Sequence, residues 1–235
     1  MNLSNISTGP LNVLDRAKNL NFIWMLYSLF ALQLLVALIW TSFVLSYSGL
    51  ESWTERWWEI AIATGVICLI LLLVALLIPS VRSPPINLVI YVLFTLCFAH
   101  FVSYLCAVDH SRLVYYALWL LFAVALGFAI YAWSISTYMS TLFSLMVVSV
   151  SCLAVFICFL IFSDINFVGL LLVLLAILVF GFYFNYDIRK MVRGGVYDAE
   201  NDDPWTGAVR IWGESLMVFC RFTELLARGC CKSKS

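Results

Sequence analysis

Six apolar stretches, each near twenty residues long, constrain what this chain can fold into; they run roughly over 22–46, 60–78, 88–108, 113–133, 142–162 and 168–186. About 20 residues of helix span the ~30 Å hydrocarbon layer of a bilayer. Inside that layer only a helix or a closed barrel satisfies its backbone amides and carbonyls without water. The stretches are too long for strands, so helices are expected. Short polar breaks separate them: 49–59 with Trp53, Trp57 and Trp58, 79–85 with Arg82, 109–112, 134–140 and 163–166. Such short connections make successive helices antiparallel neighbours. Hydrophobic residues make up 64% of the chain and charged residues 11%, against roughly 45–50% and about 25% in soluble domains. Thirteen basic and thirteen acidic residues cancel. No global field points to nucleic acid as a partner, and the lipid bilayer is the first partner implied.

A seventh segment, 205–227, is only semi-hydrophobic and carries Arg210, Glu214, Arg221 and Glu224. Charged groups at membrane depth must face protein or a water-filled cavity, so this segment belongs at the centre of a bundle or re-enters from one side. The expected fold is therefore an all-α integral membrane protein, a bundle of seven transmembrane helices with the seventh central or re-entrant. Its parts are a cytosolic N-terminal segment 1–21, a membrane domain 22–227 and a short basic tail 228–235. With the N-terminus cytosolic, six crossings place Arg16, Lys18, Arg82, Arg189, Lys190 and Arg193 inside, against Arg56 and Arg112 outside, as the positive-inside rule prefers. The tail lies inside if the seventh segment re-enters and outside if it spans. Residues 1–21 lack the basic-then-apolar pattern of a signal peptide, so the first apolar segment is the expected targeting signal. The sequons at Asn2 and Asn5 then face the cytosol and stay unused.

Eight cysteines are present, and Cys68, Cys97, Cys106, Cys152 and Cys158 fall in apolar runs, where a thiol behaves as a small hydrophobe. Neither a disulfide framework nor a metal-ligand spacing is read. Cys230 and Cys231 follow the last apolar segment and precede Lys232 and Lys234, a setting that suits palmitoylation and equally suits two unmodified thiols. The tryptophans Trp53, Trp57, Trp58, Trp133 and Trp205 fit interfacial anchors. Acidic residues Asp198, Glu200, Asp202 and Asp203 either draw cations to a mouth or are simply solvated; they lack the ligand alternation of an EF-hand. Tyr186-Asp187 matches half of an intramembrane aspartyl protease signature, but G-x-G-D, H-E-x-x-H, G-x-S-x-G and a phosphate-binding glycine loop are missing from the sequence. A non-enzyme without a cofactor is expected.

Four stretches resemble the lifeguard and Bax-inhibitor-1 group of organelle-membrane proteins. Phe22-Ile23, Tyr27 and Gln33-Leu34-Leu35 resemble its first-helix pattern, and Pro85-Ile86-Asn87 with Phe94-Thr95-Leu96 resembles the opening of its third helix. Tyr186-Asp187 with Gly194-Gly195 is similar to the close of its sixth helix, and the run from Ala208 to Glu214 to a motif of its seventh. The resemblance implies a seven-helix bundle of endoplasmic reticulum or Golgi membranes, with the plasma membrane as the other setting, that leaks calcium and restrains apoptosis. It also implies two acidic gating residues, here Asp187 and Glu214, and calcium as a transported ion rather than a cofactor. Two carboxylates brought close in a low dielectric cannot both ionise cheaply, so such a pair titrates as a unit. Deprotonated, it repels itself and attracts a hard divalent cation; protonated, it can hydrogen-bond shut.

The residues themselves leave alternatives open. Asp187 also reads as a solvated carboxylate beside Arg189 and Lys190, and Glu214 as an intrahelical ion pair with Arg210, four residues away on the same face. Three positions depart from the family pattern. Phe98 stands where it usually has glutamate, the second helix lacks an arginine, and Glu214 replaces aspartate; Arg210, in place of asparagine, is a candidate to supply that arginine. His100 reads as a polar pore residue or as a hydrogen-bonded packing residue. A non-conducting relative, of the divergent viral kind that acts through helix contacts on receptors, channels or apoptosis regulators, is the competing reading.

Overall fold

The computed structural model describes residues 10–108, 113–134, 141–162, 167–193 and 203–213. All elements among them are helical. In chain order they are α1 (Pro10–Ser46), α2 (Ser48–Arg56), α3 (Trp58–Leu77), a 3-10 turn (Pro79–Arg82), α4 (Ile86–Val108), α5 (Leu113–Ser134), α6 (Thr141–Phe162) and α7 (Phe167–Arg193). A further helix, α8, covers 204–213. Five helical stretches are long and apolar enough to cross a bilayer: Asn21–Ser46, Trp58–Leu77, Ile86–Val108, Leu113–Ser134 and Leu142–Ile161. The apolar part of α7, Phe167–Tyr183, is shorter. These six elements coincide with the six apolar runs of the sequence.

The seventh segment, expected to be central or re-entrant, lies partly outside the described residues. Of the segment 205–227, residues 205–213 are described, and all of them are helical. At the other end α1 begins at Pro10, well ahead of the apolar run, so the polar turns before Phe22 continue the first helix. Helix α7 likewise runs on to Arg193, which puts Asp187 inside a helix and not at its end.

The break after α1 is itself helical. Tyr47 is extended (φ −114°, ψ 106°) and ends one helix before α2 starts. Glu51 in the first turn and Arg56 in the last complement the helix dipole. Thr54 is buried while Trp53 is exposed, the two-faced pattern of a helix lying in the interface plane. Low apolar content hides such a helix from a search for membrane-length runs.

Helix α1 is the hub. It packs on α4 and α5, while α3 packs on α4, and α5 on both α6 and α7. Within the bundle 61% of the apolar stretch of α1 is buried, against 17% for α3. Tyr27, Gln33, Leu34 and Ala37 are fully enclosed. Small residues bring helices together where lipid offers no hydrophobic contrast to drive association. At Gly181 of α7 an added Cβ would lie 2.9 Å from Cγ1 of Val148 on α6 and 3.3 Å from Cγ1 of Val124 on α5. Both valines are buried and β-branched, so they have little rotamer freedom with which to yield.

Candidate functional site

Helix α8 begins on a cap written in the sequence. The carboxylate Oδ2 of Asp203 accepts the Thr206 backbone N–H at 3.0 Å and the Thr206 hydroxyl at 3.1 Å, and Pro204 occupies the first helical position. An aspartate cap satisfies an amide that the helix itself leaves unpaired, and proline there loses nothing, because its missing N–H would have had no partner. Asp203, one of the acidic residues considered for cation attraction, is thus engaged in starting a helix. The Asp-Pro-x-Thr run was the available signal.

From that cap α8 inserts among α1, α3 and α4. Thr206, Ala208, Val209 and Ile211 are buried. An added Cβ on Gly213 would come within 3.1 Å of Leu76 Cδ1 and 3.3 Å of Leu72 Cδ1, which places this part of α8 against α3. Trp205 meets the edge of Tyr91 with centroids 5.1 Å apart. Trp212 lies 4.3 Å from Phe98, 5.1 Å from Phe30 and 6.5 Å from Phe94. The central placement expected of the seventh segment therefore holds for its described part.

Two hydrogen bonds, one buried and one part-buried, mark this region as more than apolar packing. The Trp212 indole N–H donates to Oε1 of Gln33 at 3.1 Å, and the Tyr91 hydroxyl donates to the carbonyl of Leu29 at 2.8 Å. Gln33 is wholly buried, and its Nε2 has no hydrogen-bond partner among the described residues. A half-satisfied amide at membrane depth is costly and usually functional. Sequence reading used Gln33 only to recognise a pattern; its isolation within an apolar helix was the overlooked signal. Phe98, at the position where the family resemblance leads one to expect glutamate, stacks almost parallel on Phe94 (6°, 6.0 Å). Aromatic rings fill the space that the carboxylate would occupy.

The sequence-predicted site residues divide accordingly. Arg210 is half-buried on α8 and is not free of interactions. His100 is half-buried on α4, beside Trp40, Leu50, Trp53 and Ile60 along a groove. Asp187 sits on the α7 backbone, but its side chain lies outside the described residues, as do Glu214, Cys230 and Cys231 altogether. Glu214 directly follows Gly213, the last described residue of α8.

An all-helical, multi-pass membrane bundle with a capped helix, α8, held at its centre is the class of protein that the described elements define. A family model described as inhibitor of apoptosis-promoting Bax1 matches residues 20–230. The chain therefore belongs to the Bax-inhibitor-1 family, and the resemblance read from its four motifs is correct. No curated protein and no solved structure matches the chain.

Proposed function

We propose that the protein is a proton-controlled calcium leak of an endoplasmic reticulum or Golgi membrane, and that it restrains apoptosis by limiting organelle calcium. Family membership over 20–230 is the observation that supports this reading; the roles given to Asp187 and Glu214 rest on the resemblance of their motifs to those that hold the family's two gating acids. The insertion of α8 supports it, since Trp212 and Gly213 hold its described part among α1, α3 and α4. Arg210, on the same helix, serves as the cation that the second helix lacks. Calcium efflux from proteoliposomes of the purified protein tests this function. Efflux above that of protein-free vesicles supports it, and equal rates refute it.

A second reading has its own observation. The Phe94, Phe98 and Trp212 cluster packs aromatic rings where a conducting relative has a carboxylate, which suits a non-conducting regulator acting through helix contacts on receptors, channels or apoptosis regulators. Zero efflux together with retained membrane-protein partners is its expected result.

Orientation belongs to the same proposal. Both the N-terminus and the segment 189–193 are expected to face the cytosol, since most basic flanking residues then lie inside. A cysteine introduced at Arg193 should react with an impermeant maleimide from the cytosolic side of intact organelles. Labelling only after the lumen is opened contradicts the orientation.

A further inference from the structure

A groove on the flank of the bundle, away from α8, has a composition of its own. Trp40 of α1, Gly49, Leu50 and Trp53 of α2, Ile60 of α3 and His100 of α4 line it, and it holds about 710 Å³. That volume falls within the roughly 300–1,000 Å³ of small-molecule sites. Helix α2 forms one wall because it folds back against α4 as well as α1. The indoles of Trp40 and Trp53 stay 40% and 43% exposed, which gives the groove broad, flat apolar surfaces. At Gly49 an added Cβ meets nothing within 4 Å, so the space beside α2 is open.

Its polar equipment is sparse and uncharged. The His100 imidazole has no hydrogen-bond partner among the described residues; only its backbone carbonyl is engaged, by the Ser103 hydroxyl at 2.7 Å. No lysine or arginine lines the groove among the described residues. The neighbouring turns of α2 and the start of α3 carry Glu51, Glu55 and Glu59 against Arg56, and the described lining offers a phosphate headgroup no cationic partner. The groove opens on the flank of the candidate membrane spans α1, α3 and α4, beside the interfacial α2, where lipid is the molecule at hand. A neutral lipid with one hydroxyl and a rigid, flat body matches every wall.

We propose that this groove binds one sterol molecule, its ring system against Trp40 and Trp53 and its hydroxyl hydrogen-bonded to His100. A rigid ring system gives up less conformational freedom on binding than two acyl chains do, which favours a sterol over a phospholipid of similar volume. The imidazole accepts or donates through either ring nitrogen, so it pairs with a hydroxyl in the neutral form.

A diazirine-bearing cholesterol probe, cross-linked to the full chain in phosphatidylcholine nanodiscs and mapped by mass spectrometry, tests the proposal. Adducts should concentrate on α2 and on α4 around His100. Cholesterol should compete them away, cholesterol methyl ether less well by about five-fold, and phosphatidylglycerol not at all. Gly49→Leu projects a side chain into open space and should abolish labelling without lowering the melting temperature. His100→Ala removes one hydrogen bond and should weaken competition by cholesterol about five-fold. If Gly49→Leu does not fold, His100→Ala decides. Adducts spread evenly over the lipid-facing helices, equal competition by phosphatidylglycerol, or unchanged cholesterol competition in His100→Ala would each overturn the sterol site.

Discussion

Trp212→Ala is expected to destabilise the bundle by roughly 3–5 kcal/mol, the usual cost of deleting a packed aromatic side chain. Trp212 touches Phe30 of α1 and both Phe94 and Phe98 of α4, so its removal opens a cavity shared by three helices. It also takes from Gln33 the one hydrogen bond shown for that buried amide. Both losses act on the element that joins α8 to the bundle. Trp212→Phe keeps most of the packing and removes only the N–H, so its cost should be nearer 1 kcal/mol. Thermal melts of the three proteins in one detergent check this ordering. A Trp212→Ala protein that melts with the wild type would mean that α8 is not packed where these contacts place it.

Arg210→Ala is the second change expected to have a large effect. On the proposed pairing, its guanidinium holds the Glu214 carboxylate in its charged form, since an opposite charge within about 4–6 Å favours ionisation. Removing the cation leaves a buried carboxylate uncompensated, at roughly 3–5 kcal/mol for breaking such a pair. The sign with pH follows from the proton. A paired carboxylate binds its proton less readily in the folded state, so the pair adds stability above the unfolded carboxyl pKa, and that stability is lost as pH falls through the folded one. The arginine variant should accordingly lose more stability at neutral pH than in acid. Adding Glu214→Gln should recover much of the loss, as interacting residues require. Melts of the four proteins at two pH values read this directly; strict additivity would show that the two side chains do not interact.

Much of this architecture is legible without coordinates, for a physical reason. Each of the six apolar runs must bury its own backbone polar groups, and only helix does that at such lengths. What stays hidden is arrangement. The spans are apolar on every side, so no stripe tells which face meets a neighbour, and the central role of α1 is not marked by its hydropathy. Small residues such as Gly181 show where helices approach only once their partners, Val148 and Val124, are known. The α2 helix is missed because it is short and polar, although Glu51 and Arg56 are correctly placed for its two ends. Asp203 and Pro204 announce the start of α8, yet in a cluster of acids they read first as a charged linker.

The site was legible in a different way. Asp187, Glu214 and Arg210 come from motif correspondence, whereas the contacts of Trp212 with Gln33 and Phe98 depend on a crossing of α8 with α1 and α4 that no local pattern encodes. Phe98 could be noted in the sequence as a departure from the family. Its stacking on Phe94 and its approach to Trp212 needed three dimensions.

Calcium efflux from proteoliposomes across a pH series, with wild type and Glu214→Gln side by side, tests the proposed latch most directly. Glutamine keeps the volume and cannot titrate. The wild-type leak should rise as the acid pair loses its proton and fall in acid, where the protonated pair hydrogen-bonds shut. Glu214→Gln should still fold and reach its membrane, and its leak should lose that pH dependence. A Glu214→Gln protein whose efflux follows the wild-type pH profile would contradict the latch.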